Sequence, residues 1–205
     1  MSREETAKRR EGNEIEFSRI VAFSDGVFSI AITLLVLNLL IPKSEVQGGI
    51  GQAIWDEREN FISYAISFAV IGRFWLVHHR FFGEVTAFDG RLIGLNMLYL
   101  AFIVLIPFSS SILGDFAATA AVVVYAVNLS LVVLIGLWMT ADAQRAGLTS
   151  ADEVTQREGI IRAGYIASVF LLSIPVAFLA PFVAQLMWLA LFFDPTDRLV
   201  ARAKA

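Results

Sequence analysis

The sequence contains no cysteine, only two histidines and little charge, and each shortage removes a class of chemistry. Without cysteine there is no disulfide, thiolate nucleophile, zinc knuckle or iron–sulfur cluster, and the redox compartment stays open. The histidines are adjacent, His78 and His79, so no His-Glu-x-x-His motif can form. Neither a dinucleotide fingerprint nor a glycine-rich loop ending in Lys-Ser/Thr occurs. No enzyme, metal site or cofactor is expected. No basic face supports nucleic-acid binding, and the formal net charge is only -3. Charged residues make up 17% of the 205 residues against 57% hydrophobic ones. With a mean hydropathy of +0.69, this excludes a water-soluble domain, which would interleave its charges along the chain.

What is present is a series of apolar runs of bilayer-crossing length, about 20 residues at helical rise. They read as Ile20 to Ile41, Phe61 to His78, Leu92 to Leu113, Ala117 to Thr140 and Ile160 to Leu179. A sixth, Pro181 to Phe193, is short and is read as a tilted span or a re-entrant segment. The expected fold is all-α, a single integral membrane unit over residues 1–205. Its six transmembrane helices fall at about 18–41, 60–80, 91–113, 117–140, 160–179 and 181–195. Met1 to Glu16 is polar, the apolar stretch after it is long, and no small-residue cleavage site follows, so the first span is expected to insert and stay. Gln52 to Asn60 reads as a short surface helix with Trp55 at the interface.

Orientation follows from Lys and Arg, which cytoplasmic connectors retain. The N-terminal arm and the start of span one hold Arg3, Lys8, Arg9, Arg10 and Arg19; the second connector and its edges hold Arg73, Arg80 and Arg91. Arg145, Arg157 and Arg162 mark the fourth, and Arg198, Arg202 and Lys204 the tail, while the opposite connectors hold only Lys43 and Arg58. This alternation calls for an even number of crossings and cytoplasmic termini, which favours counting the sixth segment as a span.

Polar residues inside spans are the functional candidates, because each costs free energy unless partnered or wet. Arg19 and Asp25 put a cation and an anion near the cytoplasmic end of span one. They read as a snorkelling Arg and a carboxylate that holds neighbouring helices, since Asp25 lies off the face described next. At 100° per residue, Ile30, Thr33, Leu34 and Leu37 fall within an arc of roughly 100°, with Ser29 just beyond its edge. Four copies of this stripe around an axis would stack rings of branched apolar side chains with a hydroxyl layer between them. Such rings can gate by dewetting. Geometry leaves open the plainer reading, a stripe that packs on a neighbouring helix or faces lipid.

Span two ends in Arg73-Phe74-Trp75-Leu76-Val77-His78-His79-Arg80, with Trp75 and His78 on one face. Either the indole or the imidazole bonds Asp25 or Ser24, or Trp75 is an interface anchor and the histidines are solvated. Asn38, Ser63, Ser67, Asn96, Ser109, Ser110, Ser111, Asn128 and Ser173 are expected to form interhelical hydrogen bonds. Ala22-x-x-x-Gly26 and Gly90-x-x-x-Gly94 would allow close helix approach, and Pro107 and Pro175 should bend their spans.

The run Arg19-x-x-x-Phe23-Ser24-Asp25-Gly26-Val27-Phe28-Ser29-Ile30-Ala31-Ile32-Thr33-Leu34-Leu35 resembles the opening signature of the transmembrane protein 175 family of endolysosomal and prokaryotic potassium channels. Trp75-x-x-His78 is similar to the pattern of that family's second span. The usual Thr-Val-Gly-Tyr-Gly potassium filter is missing, as the resemblance implies. A single Phe-Ser-Asp motif is similar to the prokaryotic members, whose six-span subunits form homotetramers around first helices that line the pore. The resemblance implies passive, moderately selective flux of potassium, the permeant ion, through a plasma-membrane channel that is multi-pass in the bilayer. It implies constrictions at Ile30, Leu34 and Leu37, and hydroxyls at Thr33 and, secondarily, Ser29. Arg19, Phe23, Ser24, Asp25, Trp75 and His78 would then be structural. The competing readings are a secondary or proton-coupled transporter that titrates Asp25 with His78, and a membrane protein without transport. No inverted repeat supports the transporter.

Overall fold

The computed structural model describes residues 3–39, 49–115 and 119–192. The end of span one at Ile41, the loop cation Lys43, the tail cations Arg198, Arg202 and Lys204, and the last part of the sixth segment lie outside the described residues. Among those described, every regular element is helical: α1 Arg3–Leu34, α2 Ile50–Asp56, α3 Arg58–Glu84, α4 Gly90–Val104, α5 Ile106–Asp115, α6 Thr119–Arg145, α7 Glu153–Ala177 and α8 Pro181–Met187. Short 3-10 turns extend α1 over Leu35–Asn38 and α8 over Trp188–Phe192.

Five helical stretches are long and apolar enough to cross a membrane: Ile15–Asn38, Arg58–Glu84, Gly90–Leu113, Thr119–Arg145 and Val154–Ala177. The apolar helix Pro181–Leu191 is shorter than that. This is a multi-pass membrane protein. The helices overrun the apolar segments furthest at one end. α3 continues from His78 to Glu84, α6 from Thr140 to Arg145, and α7 begins at Glu153, ahead of Ile160. All three extensions lie at the Arg-bearing end, where polar turns can project beyond the hydrocarbon.

That end is closed by local chemistry. Asp89 caps α4 by accepting from the Leu92 amide at 2.7 Å, and Asp152 caps α7 from Thr155 at 2.9 Å. α6 ends with Gly147 at φ +68, a left-handed position suited to glycine. There the Leu148 amide bonds Ala143 and that of Gly147 bonds Gln144, the two bonds of a Schellman motif. The turn brings the α6–α7 connector against the α3–α4 connector: Thr86 donates to Leu148 at 2.8 Å and Ser150 to Glu84 at 2.8 Å. Arg91 pairs with the buried Asp142 at 3.0 Å.

Pro107 divides the third span as expected. The helix breaks at Leu105, and α4 and α5 flank the break. Pro175 does not stop α7 at once, since the helix continues two residues further to Ala177. A short helix is present where Gln52 to Asn60 reads as one, but α2 ends at Asp56 and Arg58 to Asn60 belong to α3; Trp55 is exposed, with the Arg58 guanidinium 5.7 Å from its ring centre.

One apolar core joins α1, α3, α4, α6 and α7 through Phe28, Leu35, Ile71, Ile103, Leu129 and Phe170. The expected small-residue pairs do not serve it. Added Cβ atoms at Gly26, Gly90 and Gly94 would meet nothing within 4 Å, so these positions face outward from the chain. The close approach is instead at Gly136, where a Cβ would lie 3.3 Å from the Tyr99 ring.

Candidate functional site

The two faces of α1 have opposite surroundings. Ser24, Phe28, Ala31 and Leu35, spaced four, three and four apart, are buried. Phe28 meets the His78 ring at 5.2 Å and Tyr99 at 6.3 Å between centroids. On the other face Ile30 is 58% and Leu37 61% exposed, and Ser29, Thr33 and Leu34 are exposed with them. The Thr33 hydroxyl donates to the Ile30 carbonyl and that of Ser29 to the Asp25 carbonyl, both at 2.9 Å. With each proton held by its own helix, the oxygen lone pairs remain to accept from water or face a cation.

The structure adjusts one part of the helical geometry. Leu35–Asn38 is a 3-10 turn, in which side chains three apart eclipse, so Leu37 stacks over Leu34 instead of sitting about 60° from it. The next residue anchors this end: Asn38 Nδ2 donates to the Pro107 carbonyl at 3.1 Å, just past the α4–α5 break.

Toward the Arg-bearing end, α1 is held by two polar links. Trp75 Nε1 donates to Asp25 Oδ1 at 2.9 Å. His78 Nε2 bonds Asn96 Oδ1 at 2.8 Å, and Asn96 Nδ2 donates to Ser24 Oγ at 3.0 Å. Ser24 in turn donates to the Ile20 carbonyl at 2.9 Å. Indole meets carboxylate directly, whereas imidazole reaches the serine through Asn96 on α4. Asp25 and His78 do not bond each other: Trp75 donates to the carboxylate, and Asn96 bonds the imidazole. Arg19 and Phe23 lie on the exposed surface of α1, outside these links.

Most other intramembrane polar residues join helices as expected. Ser63 and Ser67 bond Ser110, Ser67 also bonds Tyr125, Asn128 donates to Ser109, and Trp188 donates to Ser173. Ser111 does not, because its hydroxyl returns to the Phe108 carbonyl of its own helix at 2.8 Å. Among the described residues no three His, Asp or Glu side chains converge on a metal site.

Residues 19–107 match the model of the family described as the endosomal/lysosomal potassium channel TMEM175. A potassium channel of Chamaesiphon minutus is 33% identical over 159 residues, covering 69% of this chain and 77% of the relative. The chain belongs to the TMEM175 family. A potassium channel of Streptomyces collinus is 40% identical over 101 residues, a match that spans 49% of each chain. The endosomal/lysosomal proton channel TMEM175 of Gallus gallus is 34% identical over 139 residues, 60% of this chain and 28% of that one. In three dimensions, the crystal structure of a lysosomal potassium-selective channel TMEM175 homologue from Chamaesiphon minutus superposes with a TM-score of 0.74. It is 28% identical, and the match covers 87% of this chain and 96% of that one. The TMEM175 match begins at Arg19 and contains both links that hold α1 to α3 and α4.

Proposed function

We propose that this chain is a subunit of a potassium channel whose pore is lined by α1. The observation that carries the reading is the two-faced first helix. Its inner face is packed, while Ile30, Thr33, Leu34 and Leu37 stay uncovered, and α1 is the least buried of the five long helices. Such a face is completed by copies of itself. The open positions at Ala22 and Gly26 lie on the same side and let neighbouring first helices approach toward the Arg-bearing end. Four chains would form rings at Ile30, Leu34 and Leu37 with the Thr33 hydroxyls between them, and Ser29 would add a lesser polar layer. A closed homotetramer, as in the prokaryotic members that the sequence resembles, would bring every copy of the stripe to the axis and leave none of it in lipid.

Potassium passes down its gradient, partly stripped of water at Thr33, and the apolar rings close the pore by dewetting. No cofactor enters this reading. The sixth segment completes an even number of crossings, with both termini cytoplasmic in the plasma membrane, as the Lys/Arg alternation directs. Relatives named as potassium channels support the ion; the relative named as a proton channel supports a second permeant, the proton. Purified protein in liposomes tests the class. Potassium-driven flux is expected, and its absence alongside ion-coupled solute uptake would replace this reading with the transporter.

A further inference from the structure

α3 and α7 barely touch, and a slot lies between them. One part, about 390 Å3, has apolar walls that include Ala69, Leu76, Phe170 and Leu191. The other, about 320 Å3, reaches the Arg-bearing end, where Arg73, Arg80 and Arg162 line it together with Glu84 and Glu158. Arg73, Phe74 and Ile166 line both parts, so the two adjoin. Each part is of ligand-site size. The walls leave room as well: a Cβ at Gly72 in the apolar part or at Gly159 in the charged part would meet no atom within 4 Å.

An apolar slot within the membrane that ends in a cationic mouth has the polarity of an amphiphile with an acyl chain and an anionic head. Basic pockets between transmembrane helices on the cytoplasmic side select such headgroups. Three arginines against two glutamates leave one positive charge in surplus, which a phosphodiester monoanion matches. Arg73, Arg162 and Glu158 each already hold an interaction within the protein, to which a phosphate would add. Arg80 stands exposed at the edge of the mouth.

We propose that this slot binds one anionic phospholipid per chain, its acyl chain between α3 and α7 and its phosphodiester at Arg73, Arg80 and Arg162. Trp75 lines the apolar part and His78 the charged part. The lipid therefore lies against the two α3 residues that hold α1, one helix away from the stripe. The site depends on membrane insertion and not on which ion passes.

The test is native mass spectrometry of the delipidated, intact assembly titrated with phosphatidylglycerol or with phosphatidylcholine of the same acyl chains. Phosphatidylglycerol should be retained at one per chain, about five-fold more tightly than phosphatidylcholine, the size of roughly one extra cationic contact. Arg80→Gln should remove most of that preference, and Gly159→Leu, or Gly72→Leu if the former does not fold, should weaken retention of both lipids. Equal retention of the two lipids, or retention unchanged in Arg80→Gln and in both glycine variants, would overturn the proposal. So would displacement of the lipid by an equal concentration of glycerol-1-phosphate, which would mark a soluble-anion site. A change in subunit number in Gly159→Leu, with no lipid retained by the parent, would instead mark the slot as an interface between copies.

Discussion

Replacing Asn96 by leucine, which has nearly its shape, removes both hydrogen bonds of the Ser24–Asn96–His78 bridge without opening a cavity. Asn96 is fully buried and His78 is 3% exposed, so little of either group is open to water. Each interhelical hydrogen bond in a membrane protein contributes about 0.6 kcal/mol on average, and a stranded buried nitrogen costs about 1 kcal/mol or more. Asn96→Leu should therefore cost roughly 2 kcal/mol, a shift of about thirty-fold in the unfolding equilibrium. Ser24 loses less, since its hydroxyl still donates to Ile20. Equilibrium unfolding in mixed micelles, at one fixed protein concentration, measures the change. Ser111→Ala is the control: its hydroxyl bonds only its own helix, and no loss of tertiary stability is expected. Adding His78→Phe to Asn96→Leu should recover roughly half the loss, because the stranded nitrogen is gone. Asn96→Leu as stable as the parent would refute the bridge, and simple additivity of the two substitutions would refute the stranding argument.

Trp75→Phe keeps the ring and removes the donor to Asp25, so it should cost about 1–2 kcal/mol in the same assay; a change within error would mean that the indole only anchors the interface. Gly136→Leu should destabilise more strongly, by about 2–3 kcal/mol, because its first carbon already meets the Tyr99 ring at 3.3 Å; a stable Gly136→Leu protein would show that α4 and α6 can separate. Ile30→Ser and Leu37→Ser expose no core and should leave stability unchanged while raising resting leak in liposome flux; unchanged leak in both would remove these residues from the pore.

Much of this arrangement is readable in the sequence because intramembrane polar groups are few and each needs a partner. That Trp75 or His78 meets Asp25 or Ser24 is one of the readings the sequence offers, and the structure selects Trp75 with Asp25; the helix break before Pro107 is readable from the missing amide alone. The role of Asn96 is not readable. Local periodicity places it on a span but cannot say which of two other spans it bridges, and His78 reaches Ser24 only through it. Gly136 is also hidden, since a single glycine in a helix carries no spacing signal, whereas the spaced pairs at Gly26 and Gly94 face outward from the chain. The overwound turn at Leu35–Asn38 follows a plain apolar run, with nothing in Leu-Val-Leu-Asn to mark a change of pitch. The polar extensions of α3, α6 and α7 are hidden for a similar reason: apolar counts find the hydrocarbon, and helices continue past it wherever their caps and connectors allow.

The central claim is that the exposed stripe of α1 lines a path for potassium, and the reversal potential under potassium/sodium bi-ionic conditions at symmetric pH tests it most directly. A reversal displaced toward the potassium equilibrium potential, lost or reduced in Thr33→Ala, is the predicted result. A reversal that ignores both cations and follows an imposed pH gradient, or no current at all, would contradict it.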